Sequence, residues 1–438
     1  MKKILGLLLL VVAYVGLSYY SGVVGEQYIK QQVELNRVQA SNANLILDVS
    51  HYERGVFQST FDFSAQTNAQ QFDIESVTVN SKAQVFHGPI IFAGGLKFGW
   101  FYARTENSLS TSDAEINVLT AKFLPEGLGR LSMLGEYGGG YDANWRTEVI
   151  TYQDTDGQFN VAGLDVHSKG AFDTLDSNST ITTGEITART SDGTQLQITP
   201  LHGELDVTFI APKVPLSSGS FKTDTFTITS ANGQKSVINN INFEQRQRLE
   251  HANVDSKVRI SVQDVEGSLA MSNLYYEVEL NQVTQAAIVA WTELSPKLQV
   301  SEDFSAHEQE LRDALSLLLH KDLALLMASG VETMGGYASV KFDLNYVPPV
   351  AGQTLAGLNT ADEYLSLVKG SGQIIISKEI MTGTPLLMLL SPYMDTYIVQ
   401  QGDEYIVNAR ISDGKLWLAD TPIDLAPYVA AYLGALTQ

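Results

Sequence analysis

Four Asx-Gly pairs, Asp156-Gly157, Asp192-Gly193, Asn232-Gly233 and Asp413-Gly414, punctuate segments whose side chains alternate between apolar and polar. Alternation with period two gives a strand one face for a core and one for solvent. Asx-Gly reaches the positive backbone angles that a two-residue hairpin turn requires. The segments between, TQLQITP, ELDVTFI, DTFTITS, VRISVQ and YYEVELNQV, are rich in β-branched and aromatic residues, which suit a pleated, half-buried surface. The pattern begins at Leu45, Leu47 and Val49 and resumes after Gly55 with Phe57, Ser59, Phe61 and Phe63. It predicts a long antiparallel meander over residues 43–283.

Helical signals come late. TQAAIVAWTEL (284–294) predicts a short helix stopped by Pro296. Ser305 and Glu308 have the spacing of a capping box. The stripe Leu311, Leu315, Leu319, Leu323 and Leu326 extends the predicted helix to Gly330, where it would lie across a sheet. Beyond it the sequence predicts a strand at VKFDLNYVPP, a loop over 348–360 and a short helix at ADEYLSLVK. A strand at GQIIIS, a helix broken near Pro385, and a hairpin of YIVNARI and KLWLA follow. The tail predicts a helix opening at Pro427. The fold class is therefore α+β, mainly antiparallel β, with helices packed on a meander sheet.

The first residues are of another kind. Met1-Lys2-Lys3 precedes ILGLLLLVVAYVGLSYYSGVV, an uncharged run from Ile4 to Val24. As a helix it would span about 30 Å, the thickness of a bilayer's hydrocarbon core. Lysines before the run place the N-terminus in the cytoplasm and the bulk of the chain on the far side. A signal peptide cut near Val23-Val24-Gly25 is the alternative; lipidation is excluded because the chain has no cysteine. The same lack excludes disulfides and thiolate chemistry. The segment 26–42 predicts a polar stalk helix. The expected divisions are thus an anchor at 1–25, a stalk at 26–42, the meander at 43–283 and an α+β region at 284–438. The net charge of −21 argues against nucleic acid as a partner.

Catalytic motifs do not assemble. The seven histidines stand at 51, 87, 167, 202, 251, 307 and 320, and none is paired at metal-ligand spacing. His307-Glu308 lacks the second histidine of a zinc-protease helix, Leu311 standing in its place. Gly138-Gly139-Gly140 lacks a following Lys-Ser/Thr, and Ser371 is flanked directly by glycines, which is not a nucleophile elbow. No cofactor or metal is expected.

Two small constellations remain. One is Tyr52-x-Arg54-Gly55-x-Phe57-x-Ser59; the other is His87-Gly88-Pro89, at the end of the strand SVTVNSKAQVF. The first reads as a hairpin corner, Gly55 supplying a positive φ and Arg54 and Tyr52 a local contact, or as a ligand site. In the second, Pro89 ends strand pairing, and His87 satisfies a neighbouring carbonyl. An apolar anchor followed in order by YERGVFQS and HGP resembles the YdgA-like family of bacterial envelope proteins, a domain of unknown function. The similarity runs over essentially the whole chain. In that family the second strand of the final hairpin usually ends in Asn-Gly; Ala419-Asp420 stands there in this chain. The resemblance implies a Gram-negative inner-membrane protein, single-pass and facing the periplasm, that self-associates. It supplies no reaction.

The expected function is that of a non-enzymatic, inner-membrane-anchored periplasmic protein. A concave sheet surface would bind a lipid, an acyl chain or a partner protein. The competing expectation is an envelope enzyme with a site assembled from dispersed carboxylates and His87.

Overall fold

A computed structural model describes residues 13–27, 29, 30, 33, 45–69, 74–125, 127–155, 157–211, 214–267, 270–300, 304–319, 322–349, 361–394, 396–412, 414–425 and 427. The chain divides into two compact units, 1–209 and 210–438.

The first unit opens with helix α1, residues 13–27 with 29, 30 and 33 also helical. Its strands follow in order: β1 (Leu45–Arg54), β2 (Gln58–Ala69), β3 (Ile74–His87), the short pair β4 (Ile90–Ile91) and β5 (Lys97–Phe98), and β6 (Phe101–Thr111). After helix α2 (Ala114–Phe123) come β7 (Arg130–Gly135), β8 (Gly140–Thr147), β9 (Ile150–Gln153), β10 (Gly157–Val161) and β11 (Leu164–Ala171). The unit ends with β12 (Ser177–Thr183), β13 (Ile186–Thr190), β14 (Gln195–Ile198) and β15 (His202–Ala211). The pairing is antiparallel throughout, in the order β1-β2-β3-β6-β7-β8-β11-β12-β15, while β9-β10-β13-β14 form a side branch. The predicted meander is thus present.

The meander is interrupted by α2, which the alternation did not reveal. Asp113 caps it, its carboxylate accepting from the Glu115 and Ile116 amides at 2.7 and 3.1 Å. A Ser-Asp pair ahead of Ala114 was the readable signal.

The second unit is a meander of β16 (Val214–Thr229), β17 (Lys235–Glu250), β18 (Asn253–Glu266), β19 (Met271–Thr284), β20 (Ala324–Thr333), β21 (Gly336–Tyr346) and β22 (Val368–Ser377). It ends in β23 (Val399–Gln401), β24 (Glu404–Ser412), β25 (Lys415–Leu418) and β26 (Thr421–Asp424). The strands flanking each of the four Asx-Gly pairs of the sequence are paired with one another. The helices are α3 (Gln285–Val300), α4 (Glu308–Leu318), α5 (Ala361–Ser366), α6 (Lys378–Gly383) and α7 (Leu386–Leu390). Val283, Ala287, Leu323, Tyr346 and Leu367 form one core with Leu318 and Leu319 against it. Met381, Ile398 and Tyr405 form another.

Two helical expectations fail. The helix predicted from Ser305 to Gly330 ends at Leu318, is capped at His307 with no side-chain hydrogen bond, and gives way to strand β20. LALLMASGV is apolar at both helical and strand spacing, so periodicity cannot decide. Ladders offered on both sides by β19 and β21 do decide it, and Gly330 lies mid-strand because a Cβ there would stand 2.6 Å from the Tyr275 ring. The helix at 284–294 does not stop at Pro296 but runs to Val300. A proline inside a helix removes one backbone bond, and the remaining turns sustain it here.

Among the described residues, no helix is long and apolar enough to cross a membrane. Residues 1–12 of the expected anchor, most of the expected stalk, the loop from 350 to 360 and the tail beyond Pro427 lie outside the described residues.

Candidate functional site

In the first unit, α1 lies on the sheet face formed by β1, β2, β3, β6 and β7. The contact face is Tyr14, Ser18, Ser21, Gly22, Gly25 and Ile29, which recur at helical spacing; Ser18, Ser21 and Gly22 are buried. Small side chains let the helix backbone approach closely. A Cβ on Gly22 would stand 2.3 Å from Cε1 of His87, whereas a Cβ on Gly16 or Gly25 would meet nothing within 4 Å.

Tyr52, Arg54, Phe57 and His87 of the two sequence motifs meet this helical segment, and Ser59 meets it through His87. A bulge shifts the β1–β2 register between Ser50 and Glu53, with His51 at φ 50°. Beyond the bulge Tyr52 stacks on Phe61, ring centroids 5.4 Å apart, with the Lys30 ammonium 5.4 Å over its ring. Burial raises the Tyr52 hydroxyl's pKa, a contact with Ser59 working against this. Arg54 donates to Glu26 at 2.8 Å and lies 5.3 Å over the Tyr19 ring, so its contacts are both with the helix. The Lys30 ammonium, bonded at 2.7 Å, and Arg54 beside it hold the Glu26 carboxyl below its ordinary pKa, against a desolvation that raises it. Phe57 stacks on Tyr14 at 5.8 Å.

Gly55 does not have the positive φ expected of it. Its amide donates to the Gln58 carbonyl at 2.8 Å, and a Cβ would stand 2.9 Å from that same oxygen. Close approach of backbone, rather than a left-handed turn, is what calls for glycine at 55.

Ser59 and His87 meet at the centre, 1% and 3% exposed. The His87 Nδ1–H donates to the Val56 carbonyl at 3.2 Å, so Nε2 is left to accept from the Ser59 hydroxyl at 2.9 Å. Burial lowers the His87 pKa, with Arg54 adding to the effect and the Val56 bond opposing it, and the ring is neutral. A serine in the Phe57–Phe63 row is thus explained by its partner. Gly88 follows, its amide donating to the Trp100 carbonyl at 2.7 Å, and a Cβ there would fall 1.7 Å from the Gly99 oxygen. The Gly88-Pro89 bond is cis, and the Pro89 carbonyl accepts from the Tyr137 hydroxyl.

Ser–His contact at 2.9 Å has the distance of a nucleophile and its base. Here the third partner is a backbone carbonyl, and the Gly22 backbone of α1 covers the ring. The arrangement pins a helix to a sheet. The partners that motif reading missed are Tyr14, Tyr19, Ser21, Gly22 and Glu26. Ser18, Ser21, Gly22 and Gly25, small residues at helical spacing in an otherwise large apolar run, were the available signal.

Arg54 is a peripheral clamp by comparison, its side chain 32% exposed. Arg54→Ala is expected to cost about 1 kcal/mol, from one ion pair and one cation–π contact. Melts should show most of that cost at low ionic strength and little at high.

Two adjoining cavities flank the docked helix, of about 160 and 360 Å³, and share Ser21, Gly25, Phe101 and Phe172. Tyr52, Phe61, Val85, His87, Leu131 and Met133 close the smaller; Tyr20, Val24 and Trp100 line the larger, with Glu136 the one charged residue among the described lining. Open clefts of about 440 and 620 Å³ lie along β18–β21 in the second unit, with mixed polar walls. Among the described residues no three His, Asp or Glu side chains are grouped to hold a metal.

A family model described as "Bacterial protein of unknown function (DUF945)" matches residues 1–426, a coarser description than the YdgA-like name. No curated protein and no solved structure matches this chain.

Proposed function

The chain belongs to the DUF945 family, and on that premise we propose a non-enzymatic, membrane-attached protein of the bacterial envelope that holds a lipid acyl chain beside its N-terminal helix. The observation that carries this reading is the pair of adjoining apolar cavities along α1. The larger falls within the roughly 300–1,000 Å³ of ordinary ligand sites, and its walls give an acyl chain contact with few polar groups to desolvate. His87 lines the smaller cavity, but both its nitrogens are satisfied by Ser59 and the Val56 carbonyl, which supports a binding role over the competing enzyme reading. The finer YdgA-like resemblance supports attachment to the inner membrane with the bulk of the chain in the periplasm, as do the lysines ahead of the apolar run.

Gly25 provides the test. It lines both cavities and has open space where a Cβ would be, so Gly25→Phe fills the cavities without disturbing the backbone. Native mass spectrometry of the detergent-extracted full chain is expected to show an adduct of phospholipid or fatty-acid mass, lost in Gly25→Phe and kept in Gly16→Phe. An adduct of equal intensity in all three proteins, or none in any, overturns the acyl-binding reading.

A further inference from the structure

Helix α1 is apolar on its outside. The face against the sheet carries serine and glycine, while Val15, Leu17, Tyr20 and Val24 are 36%, 49%, 61% and 44% exposed, Tyr20 and Val24 at the edge of the larger cavity. The β4–β5 hairpin continues that surface with Phe92, Leu96 and Phe98, exposed by 77%, 59% and 59%. The two parts are joined: the Tyr14 hydroxyl donates to the Ile90 carbonyl at 2.7 Å. Trp100 and Tyr137, both exposed, meet edge to face at 5.5 Å behind the hairpin. Lys97 in β5 and Arg104 beside the hairpin both lie over the Tyr102 ring.

We infer that this face is a bilayer-contact surface, with the hairpin tip and the outer side of α1 seated at the boundary of headgroups and acyl chains. An amphipathic helix placed so buries its apolar face about 5–10 Å into that boundary, and tryptophan and tyrosine concentrate at the same level. Exposed aromatic residues in such number on one face of a water-soluble surface mark an interaction site. A lipid surface is favoured over a protein by where the chain continues. The apolar sequence ILGLLLLVV (4–12) runs directly into Ala13, one residue before the tyrosine that bonds the hairpin, and Lys2 and Lys3 precede it. The basic residues beside the hairpin suit anionic headgroups on an otherwise acidic chain. The face shares Tyr20, Val24 and Trp100 with the wall of the larger cavity, so the test reads the hairpin tip, which lines neither cavity.

The chain has no cysteine, so a single introduced thiol reports one position. Leu96→Cys at the hairpin and Ala231→Cys at an exposed turn of the second unit are each labelled with the environment-sensitive fluorophore NBD. The full-length proteins are reconstituted into phosphatidylethanolamine–phosphatidylglycerol vesicles, with and without bromine on the acyl chains. At position 96 the emission is expected to shift to the blue, to be quenched strongly by the brominated lipid, and to resist aqueous iodide several-fold better than at 231. Residues 4–12 could hold the protein on vesicles by themselves, and then position 96 would stay open to iodide and untouched by bromine; that result overturns the inference. Shielding from iodide without bromine quenching would assign the face to a second copy or another protein, and overturns it equally.

Discussion

Gly22→Ala is expected to loosen α1 from the first unit, although it adds one methyl group and exchanges a poor helix former for the best. The methyl would stand 2.3 Å from Cε1 and 2.5 Å from Nδ1 of His87. That ring cannot swing aside, because both nitrogens are bonded in a buried site. Overpacking of this kind costs about 1–3 kcal/mol, and the free energy of docking sets its upper limit, since the helix can lift away. Gly16→Ala is the matched control. Its methyl meets nothing within 4 Å, so it should stabilise the helix by about 0.5–1 kcal/mol. Hydrogen exchange over residues 13–27, with a melt of each protein, reads both effects. Equal changes in the two variants would show that α1 does not rest on His87.

His87 is the other side of the same contact. His87→Ala is expected to cost about 2–5 kcal/mol, as a buried ring is lost and the Ser59 hydroxyl and Val56 carbonyl are left without their partner. A pH series separates this from generic core damage. The folded His87 pKa lies below its ordinary value near 6.5, so above that pH the ring is neutral in both states and its contribution is complete. As the pH falls below about 6.5, the unfolded chain takes up a proton that the buried ring refuses, and stability declines toward the lowered folded pKa. Glu26, Asp142 and Asp165 have lowered carboxyl pKa values. They also favour the folded state less in acid, but only at and below the ordinary carboxyl range. A melting temperature that falls between pH 7 and 5 in the parent protein and stays level in His87→Phe is the expected signature. An unchanged slope in the variant would assign that window to other groups.

The two variants bear on one point, that the motifs YERGVFQS and HGP exist to receive the N-terminal helix. Tyr52, Arg54 and Phe57 come from one hairpin corner and His87 from the end of the next strand, and these meet the N-terminal helical segment, with Ser59 held behind His87. Were both substitutions silent, the corner would return to a plain turn and the contact residues would need another explanation.

Much of the architecture is local and was therefore readable from the chain itself. Strand alternation and Asx-Gly turns depend on a residue and its near neighbours, so the meander, all four hairpins, the break near Pro385 and the C-terminal hairpin could be placed. The reading failed where a segment's own preferences were balanced. Residues 324–331 suit either helix or strand, and two waiting strand edges made them β20. Gly55 suits a left-handed turn, yet what fixes it is the approach of the Gln58 carbonyl. The apolar run at the N-terminus showed the same limit. By its hydropathy it predicts a membrane span, but whether Gly22, Ser21 and Ser18 meet lipid or protein depends on a surface built from β1, β2, β3 and β6. Those strands lie 20 to nearly 100 residues further along the chain. Sequence determined which segments could be strands and marked the corner residues; only tertiary packing decided what the corner holds, because the cost of a methyl group at position 22 exists only once His87 has been brought beside it.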